Sequence, residues 1–380
     1  MRKSNIVVIL LLCIVLNFCS SKQNYTEEII DGVRHIHNLE PLWGTEQKVR
    51  LEFVRKFGDL NTEDERYLLL RPADVVVDDD GSVLILDAGN HKVKKYDSKG
   101  KYLSSLGEKG IGPGEFIGPT HMDICPNGDI VINDRAVRVV NIFDRNGHFV
   151  TRIKNEGFPP PQILALRSGE IAVFYIRKFN LEDNVEIPSL VNIFDKKGSL
   201  LRKFVAPRIY EDVPTNFWCN SIFIAADDLD NIYVNFEAQN RIEKYSTVGK
   251  LLFKADRLLE YPESQEIDKQ TYVYDEGPLI AVSFNLFSAG IQTDIKGRIW
   301  SGTLKRQKNP EDKESNQEER REGGRPEDYM FEIFDDDGIL LARMQDNLYH
   351  GQRFKIIGDR LFLIDRDVEM TVFEYRIVDN

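Results

Sequence analysis

An all-β body of six four-stranded antiparallel units arranged in a ring is what this sequence predicts, on three observations. Residues 71–118, RPADVVVDDDGSVLILDAGNHKVKKYDSKGKYLSSLGEKGIGPGEFIG, hold three short apolar runs and one alternating run, each closed by a turn signal. The turns recur: Asp80-Gly81 as Asn127-Gly128, Asp87 as Asp134, Tyr96-Asp97 as Phe143-Asp144 and Lys99-Gly100 as Asn146-Gly147, all displaced by 47 residues. Self-similarity at one period marks a repeat architecture. The last unit lacks an outermost strand, while an alternating segment without a partner stands near the front of the chain. Units joined through the two chain ends make a six-bladed β-propeller over 49–380, and closure removes the open sheet edges that promote aggregation.

Taken in order, Arg2 and Lys3 precede an apolar run over 6–16, which has the length of a signal-peptide core and is too short to span a bilayer. Residues 20–48 read as a polar tether with room for one short strand over 32–37. VRLEFVRKF, residues 49–57, alternates as an edge strand does and is expected to pair with 371–377. In the first unit, VVV at 75–77 and VLIL at 83–86 are continuous apolar runs, the mark of strands covered on both faces. A third strand over 92–96 ends at Tyr96-Asp97, and Asp97 to Gly100 forms the hairpin to an outer strand over 101–106, with Gly100 able to take a positive φ. The second unit repeats this pattern. The third has Ser168-Gly169 before IAVF and then NIFDKKGSL; the fourth has Asp230-Asn231 before IYVNF and then IEKYSTVGKLLF. The fifth has Lys296-Gly297 before RIW and then FEIFDDDGILL; the sixth has Gly358-Asp359 before RLFLID and then MTVFEYRI. The alternative is five blades with an unattached C-terminal segment.

The chain carries a formal net charge of -12 and no long basic run, so nucleic acid is a poor candidate partner. Of its 4 cysteines, Cys13 lies in the leader, Cys19 stands at its end, and Cys125 and Cys219 fall in different units, where they read as buried free thiols, with a disulfide between them the alternative.

Two resemblances follow from these residues. LNFCSSK, ending the leader, resembles the lipobox of bacterial lipoproteins, with Phe18 departing from the small residue usual before the cysteine. It implies cleavage and acylation at Cys19, a leader over 1–19, and an exported, membrane-anchored protein; an ordinary secretory leader is the alternative. DGSVLILDAGNHKVKKYDSKGKYLSSLG, with the connector EKGIGPGEF, resembles NHL-type repeats, and the whole is similar to exported six-bladed β-propellers of that type. Units one and two match well, units three to six mainly in their hairpins. This architecture hosts enzymes and binding scaffolds alike.

In a propeller the connectors fall alternately on two faces. Turns between first and second strands are minimal here, as are those between third and fourth, whereas every long insertion (108–118, 157–162, 174–189, 206–220, 257–288 and 302–328) belongs to the other face. That face is the expected site for a protein partner or small ligand, with Asn90, His91, His121, Arg138, Tyr272, Tyr274 and His350 as candidate residues. The aromatics of 257–288 either anchor a ligand or pack the insertion onto the body, and 304–328 reads as a solvated charged loop. The resemblance implies a second reading, a metal-assisted lyase or lactone hydrolase at the channel mouth, for which His91, His121 and His350 are candidate ligands beside Asp74, Asp123 and Asn220. Their spacing is no metal signature, and no cofactor is expected. The run Asp78-Asp79-Asp80-Gly81 lacks the distal Glu of a calcium loop and reads as a turn. Asp87, Asp134 and Asp365, ending second strands, are expected to accept turn amides. GxSxG is absent, and the glycines of 107–114 open no helix.

Overall fold

The computed structural model describes residues 23–154, 162–174, 187–261, 268–274, 277–283, 285–307, 328–344, 348, 353–366 and 368–380. The leader and Cys19 lie outside them. Six four-stranded antiparallel blades are present. Blade 1 comprises Pro72–Val77, Val83–Asp87, Lys92–Tyr96 and Tyr102–Leu106. Blade 2 comprises Pro119–Ile124, Ile130–Asp134, Val139–Phe143 and Phe149–Lys154; blade 3, Ile163–Ala165, Ile171–Phe174, Val191–Phe194 and Leu200–Phe204. Blade 4 is Ile222–Ala226, Ile232–Phe236, Ile242–Tyr245 and Leu251–Arg257; blade 5, Ser288–Thr293, Ile299–Leu304, Tyr329–Phe334 and Leu340–Met344. Blade 6 takes Arg353–Ile357, Arg360–Asp365 and Thr371–Asp379 from the C-terminus, and Val49–Phe57 pairs with Thr371–Asp379 to complete it.

The continuous apolar runs are explained by blade packing. Alternate residues of one strand enter two different cores: Val75, Val83 and Ile85 meet Phe362 and Ile364 of blade 6, while Val76, Leu84 and Leu86 meet Met122 and Ile132 of blade 2. Six such cores, one at each interface between neighbouring blades, occupy the ring.

The hairpins between third and fourth strands of blades 1, 2, 3 and 5 share one mechanism. Asp97 Oδ1 accepts the amides of Lys99 and Lys101, both at 2.9 Å, and Asp144, Asp195 and Asp335 do the same in their blades. The glycine three residues on must be left-handed: Gly338 has φ 85°, and a Cβ there would stand 2.7 Å from the Phe253 ring of the preceding blade.

One buried position in the third strand is polar in every blade, at identical register: Lys94, Asn141, Asn192, Glu243, Glu332 and Glu374. Lys94 donates to Glu65 O at 2.7 Å, Tyr245 Oη donates to Glu243 at 2.7 Å, and Arg360 Nε donates to Glu374 at 2.8 Å.

Residues 23–48 are not the loose tether expected, although the short strand expected over 32–37 is present as Val33–Asn38. Tyr25–Ile30 and Val33–Asn38 form a hairpin whose second strand lies parallel on Leu251–Arg257, extending blade 4 to six strands. Ile36 is buried between blades 4 and 5, and the Asn38 amide donates to Asp256 O and Gly338 O while its oxygen accepts Leu340 N–H at 2.7 Å. The amides of Leu42 and Trp43 then bond the carbonyls of Leu340 and Leu341. The segment thus covers edges that blades 4 and 5 would expose. His37 bridges Asp256 at 2.8 Å and Glu28 at 3.3 Å; desolvation opposes its charge, and the two carboxylates outweigh that and raise its pKa.

Cys125 and Cys219 are buried free thiols, and burial pushes Cys125 up to about 11.

Candidate functional site

Innermost strands run from one face of the ring to the other, so the connectors alternate between faces. One face carries tight turns, such as those closed by Asp78 N–H to Ser82 O and Cys125 N–H to Asp129 O. The other receives the connectors from Phe174 to Val191, Phe204 to Ile222, Arg257 to Ser288 and Leu304 to Tyr329. Two of these contain elements of their own. The helix Val213–Trp218 starts at Asp212, whose carboxylate accepts Thr215 N–H at 3.0 Å. The strands Asp268–Tyr274 and Gly277–Ser283 form a hairpin where the sequence predicts only a long insertion, and Gly277–Ser283 lies against that helix. Tyr261 stacks at 6.1 Å on the fully buried Phe287 and donates its hydroxyl to Leu304 O, so these two aromatics pack the insertion onto the blades.

The first strands surround the central channel and are tied to one another by side chains. Asp74 of blade 1 accepts Met122 N–H of blade 2 at 2.9 Å, and Asp123 of blade 2 accepts Ala165 N–H of blade 3 at 2.9 Å. The Gln162 amide bonds both N–H and C=O of Ile224, and Thr293 donates to Ala226 O at 2.7 Å. Blade 6 closes the circuit with cations. Arg353 Nη1 donates to Ala73 O at 3.2 Å and Thr120 O at 3.0 Å, and Lys355 donates to Met122 O while standing 3.7 Å from Asp74. Burial disfavours the Lys355 charge, but Asp74 and Asp123 more than offset it and raise its pKa. Towards the tight-turn face the channel widens into a cavity of about 340 Å³ with Asp123, Asp227, Asp230 and Asp294 in its wall.

The residues singled out from sequence fall in distinct settings. His91 and Arg138 occupy the same left-handed position of the turn after the second strand, φ 55° and 57°, in blades 1 and 2. Asn90 donates to Asp87 Oδ2 at 2.6 Å inside the first of those turns. Asp87 and Asp134 are fully buried and accept backbone amides, Leu70 and Arg71 for the former, Ile117 and Gly118 for the latter; Asp365 accepts Val368 N–H. Asp74 and Asp123 do line the channel. Asn220 does not belong to its mouth as the sequence suggested: it is fully buried and bonds Arg208 N–H, Arg208 O and Asn216 O, bracing the insertion. His121 stands half-buried at the start of the channel strand of blade 2. Nδ1 of both His91 and His121 is buried without a hydrogen-bond partner among the described residues. His350 and the side chains of Tyr272 and Tyr274 lie outside the described residues. Among the described residues no three His, Cys, Asp or Glu side chains converge as metal ligands.

The sequence reading missed the basic rim. Arg71 directly precedes the channel strand of blade 1, Arg135 and Arg366 follow the second strands of blades 2 and 6, and Arg353 begins the channel strand of blade 6. All four stand at the long-insertion end of the channel. Desolvation, and then the charges of Arg366, Arg71 and Arg135, lower Arg353 to about 10 despite Asp74. Burial, followed by Arg353, Lys355, Arg366 and Arg135, holds His121 well below its ordinary value, so its imidazole is neutral at pH 7. The signals were a basic residue at alternate positions of RFKII and two Asp-Arg pairs closing second strands.

A family model described as 6-bladed beta-propeller matches residues 44–242. Protein brain tumor of Drosophila melanogaster is 24% identical over 152 residues, 39% of this chain and 14% of its own length. A Caenorhabditis elegans protein named for peptidyl-alpha-hydroxyglycine alpha-amidating lyase, pgal-1, is 34% identical over 93 residues, 23% of this chain and 26% of its own length. The chain thus spans about a quarter or less of these relatives. Among solved structures, a Bacteroides fragilis protein whose name marks it as exported superposes with a TM-score of 0.57 at 12% identity, covering 91% of this chain and 99% of the other. That likeness is one of fold. Among the described residues no helix is long and apolar enough to cross a membrane.

Proposed function

We propose a function on one premise: the chain belongs to the 6-bladed beta-propeller family, whose fold by itself assigns no activity. It is read as an exported propeller, tethered by a lipid on Cys19, that binds a protein partner or small ligand on the face bearing the insertions. The observation that supports the binding face is its one-sidedness: the connectors from Phe204, Arg257 and Leu304 all leave towards it, while the opposite face has tight turns. Loops longer than about a dozen residues are uncommon in compact domains unless they are functional or disordered. The leader pattern and the exported name of the Bacteroides fragilis neighbour support export. The edge hairpin starts at Tyr25, so a lipid on Cys19 would hold the outer side of blade 4 within about 20 Å of the bilayer. The lyase name of the nematode relative bears on the second reading, a metal-assisted lyase or lactone hydrolase at the channel mouth using His91, His121 and His350. The described geometry supports it less, since His91 sits in a turn that its backbone conformation defines.

Photo-crosslinking in cells tests the face. A photoreactive residue at Ile111, 70% exposed among the insertions, is expected to trap a specific adduct, and one at Leu229, 76% exposed on the tight-turn face, is expected to trap none. Adducts from Leu229 alone would reject the assignment. Fatty-acid labelling checks the tether: Cys19→Ser is expected to abolish incorporation and release the protein from the membrane fraction, and labelling that persists would remove the lipid from Cys19.

A further inference from the structure

The basic rim is out of keeping with the rest of the molecule, whose net charge is -12. Main-chain bonds hold it in place: Ala88 N–H donates to Arg71 O and Arg135 N–H to Gly118 O, both at 3.0 Å, which sets the two arginines where the second-strand turns meet the channel strands of blades 1 and 2. Between them, the Arg353 guanidinium reaches across from blade 6 to the carbonyls of Ala73 and Thr120. Thr120 is followed by His121, whose buried Nδ1 has no partner among the described residues. The nearby carboxylates are committed elsewhere. Asp74 faces Lys355 one step deeper, Asp87 and Asp134 accept backbone amides, and Asp365 accepts Val368 N–H. Arg71 and Arg135 are exposed and form no ion pair among the described residues.

The geometry points to a receptor site for a small, soluble, multiply charged oxyanion at the long-insertion mouth of the channel, held by Arg71, Arg135 and Arg353 with His121 at its floor. Guanidinium groups suit the planar, forked geometry of carboxylate and phosphate oxygens. A neutral imidazole adds a hydrogen bond without further charge to desolvate. The acidic remainder of the surface repels an extended polyanion, whereas a compact anion is drawn to the local positive field at the mouth. The acidic cavity at the other end of the channel makes the two ends opposite in sign, so the anion enters from the insertion face only.

This inference rests on the binding-face reading above, and its test separates the two. Full-length protein is titrated calorimetrically with citrate in one arm and inorganic phosphate in the other, each against sodium chloride at matched ionic strength. Saturable binding of at least one probe is expected, with the stronger arm distinguishing a carboxylate from a phosphate ligand. The Arg71→Gln/Arg135→Gln variant, altered only at exposed side chains, is expected to melt at the parent temperature and bind at least tenfold more weakly. No binding beyond the salt control in either arm, or equal binding by the variant, overturns the inference. If that result comes with a photo-adduct at Ile111, the oxyanion site alone falls; if no adduct forms either, the binding face falls with it.

Discussion

Replacing Glu332 by Gln is expected to destabilise the protein by about 3–5 kcal/mol, the usual cost of leaving one member of a buried ion pair without its partner. Arg257 and Glu332 are both fully buried, with Nε to Oε2 at 2.6 Å, and they join the outer strand of blade 4 to the third strand of blade 5. All three guanidinium nitrogens of Arg257 and both carboxylate oxygens of Glu332 are in use. Arg257 also donates to Asn240 Oδ1, Ser288 Oγ, Thr303 Oγ1 and Phe287 O, while Glu332 accepts from Thr303 and from Arg343 Nε at 3.0 Å. Desolvation opposes ionisation of Glu332, and Arg257 and Arg343 outweigh it, so its pKa lies below the ordinary carboxylate range. A depressed folded-state pKa stabilises above the unfolded value and loses that contribution as pH falls through the folded one. The Gln variant should therefore converge on the parent in acid. A double-mutant cycle in urea with Arg257→Met checks the attribution: the double variant is expected to recover part of the loss, because the charge left behind in each single variant is removed. A single-variant cost under about 1 kcal/mol would show that the pair is not what ties these blades together.

The blade count and the hairpins could be read from residues because turn chemistry is local. Asp97 and Gly100 need only each other and the intervening amides, and their equivalents recur down the chain. The partner of Val49–Phe57 was legible for a different reason: a ring with one strand missing at the end and one spare at the front has one closure. What escaped depended on distant partners. The short strand expected over 32–37 is present as Val33–Asn38, but its parallel pairing with Leu251–Arg257 and the hairpin it makes with Tyr25–Ile30 depend on an edge that lies far along the chain. The polar ring in the third strands was visible as Asn in VNIF twice and Glu in YMFEIF, but a polar residue inside an apolar run reads as noise until its register is known. At the site, Asn90 and His91 read from sequence as ligand-face candidates, and the structure adds what sequence does not give, a left-handed φ at His91 and a bond from Asn90 to Asp87 within the turn. Arg71, Arg135 and Arg353 are 64 and 218 residues apart in the chain, so only the ring brings them to one rim.

A chain begun at residue 49 is expected to fold, and one begun at residue 59 to fail, because the closing strand belongs to two cores at once. From Val49 opposite Asp379 to Phe57 opposite Val372, it pairs along all of the last strand but Thr371, with one irregularity between Phe53 and Arg55. Val49 is buried in the core between blades 5 and 6, and Phe57 in that between blades 6 and 1, where its ring lies 5.3 Å from that of Tyr96. Losing the strand opens both cores and bares the backbone of Thr371–Asp379, an edge that recruits other chains. The graded version is Phe57→Ala in the full chain, expected to cost about 3–5 kcal/mol as a large-to-small change in a packed core. Both truncated chains lack the hairpin on blade 4, so the comparison between them isolates closure from edge cover. Size-exclusion chromatography and thermal melting read the outcome: a monomeric peak with a cooperative transition for the chain begun at residue 49, aggregate or a broad melt for the other. Matching transitions in the two would mean that blades 5, 6 and 1 hold together through their side-chain cores alone.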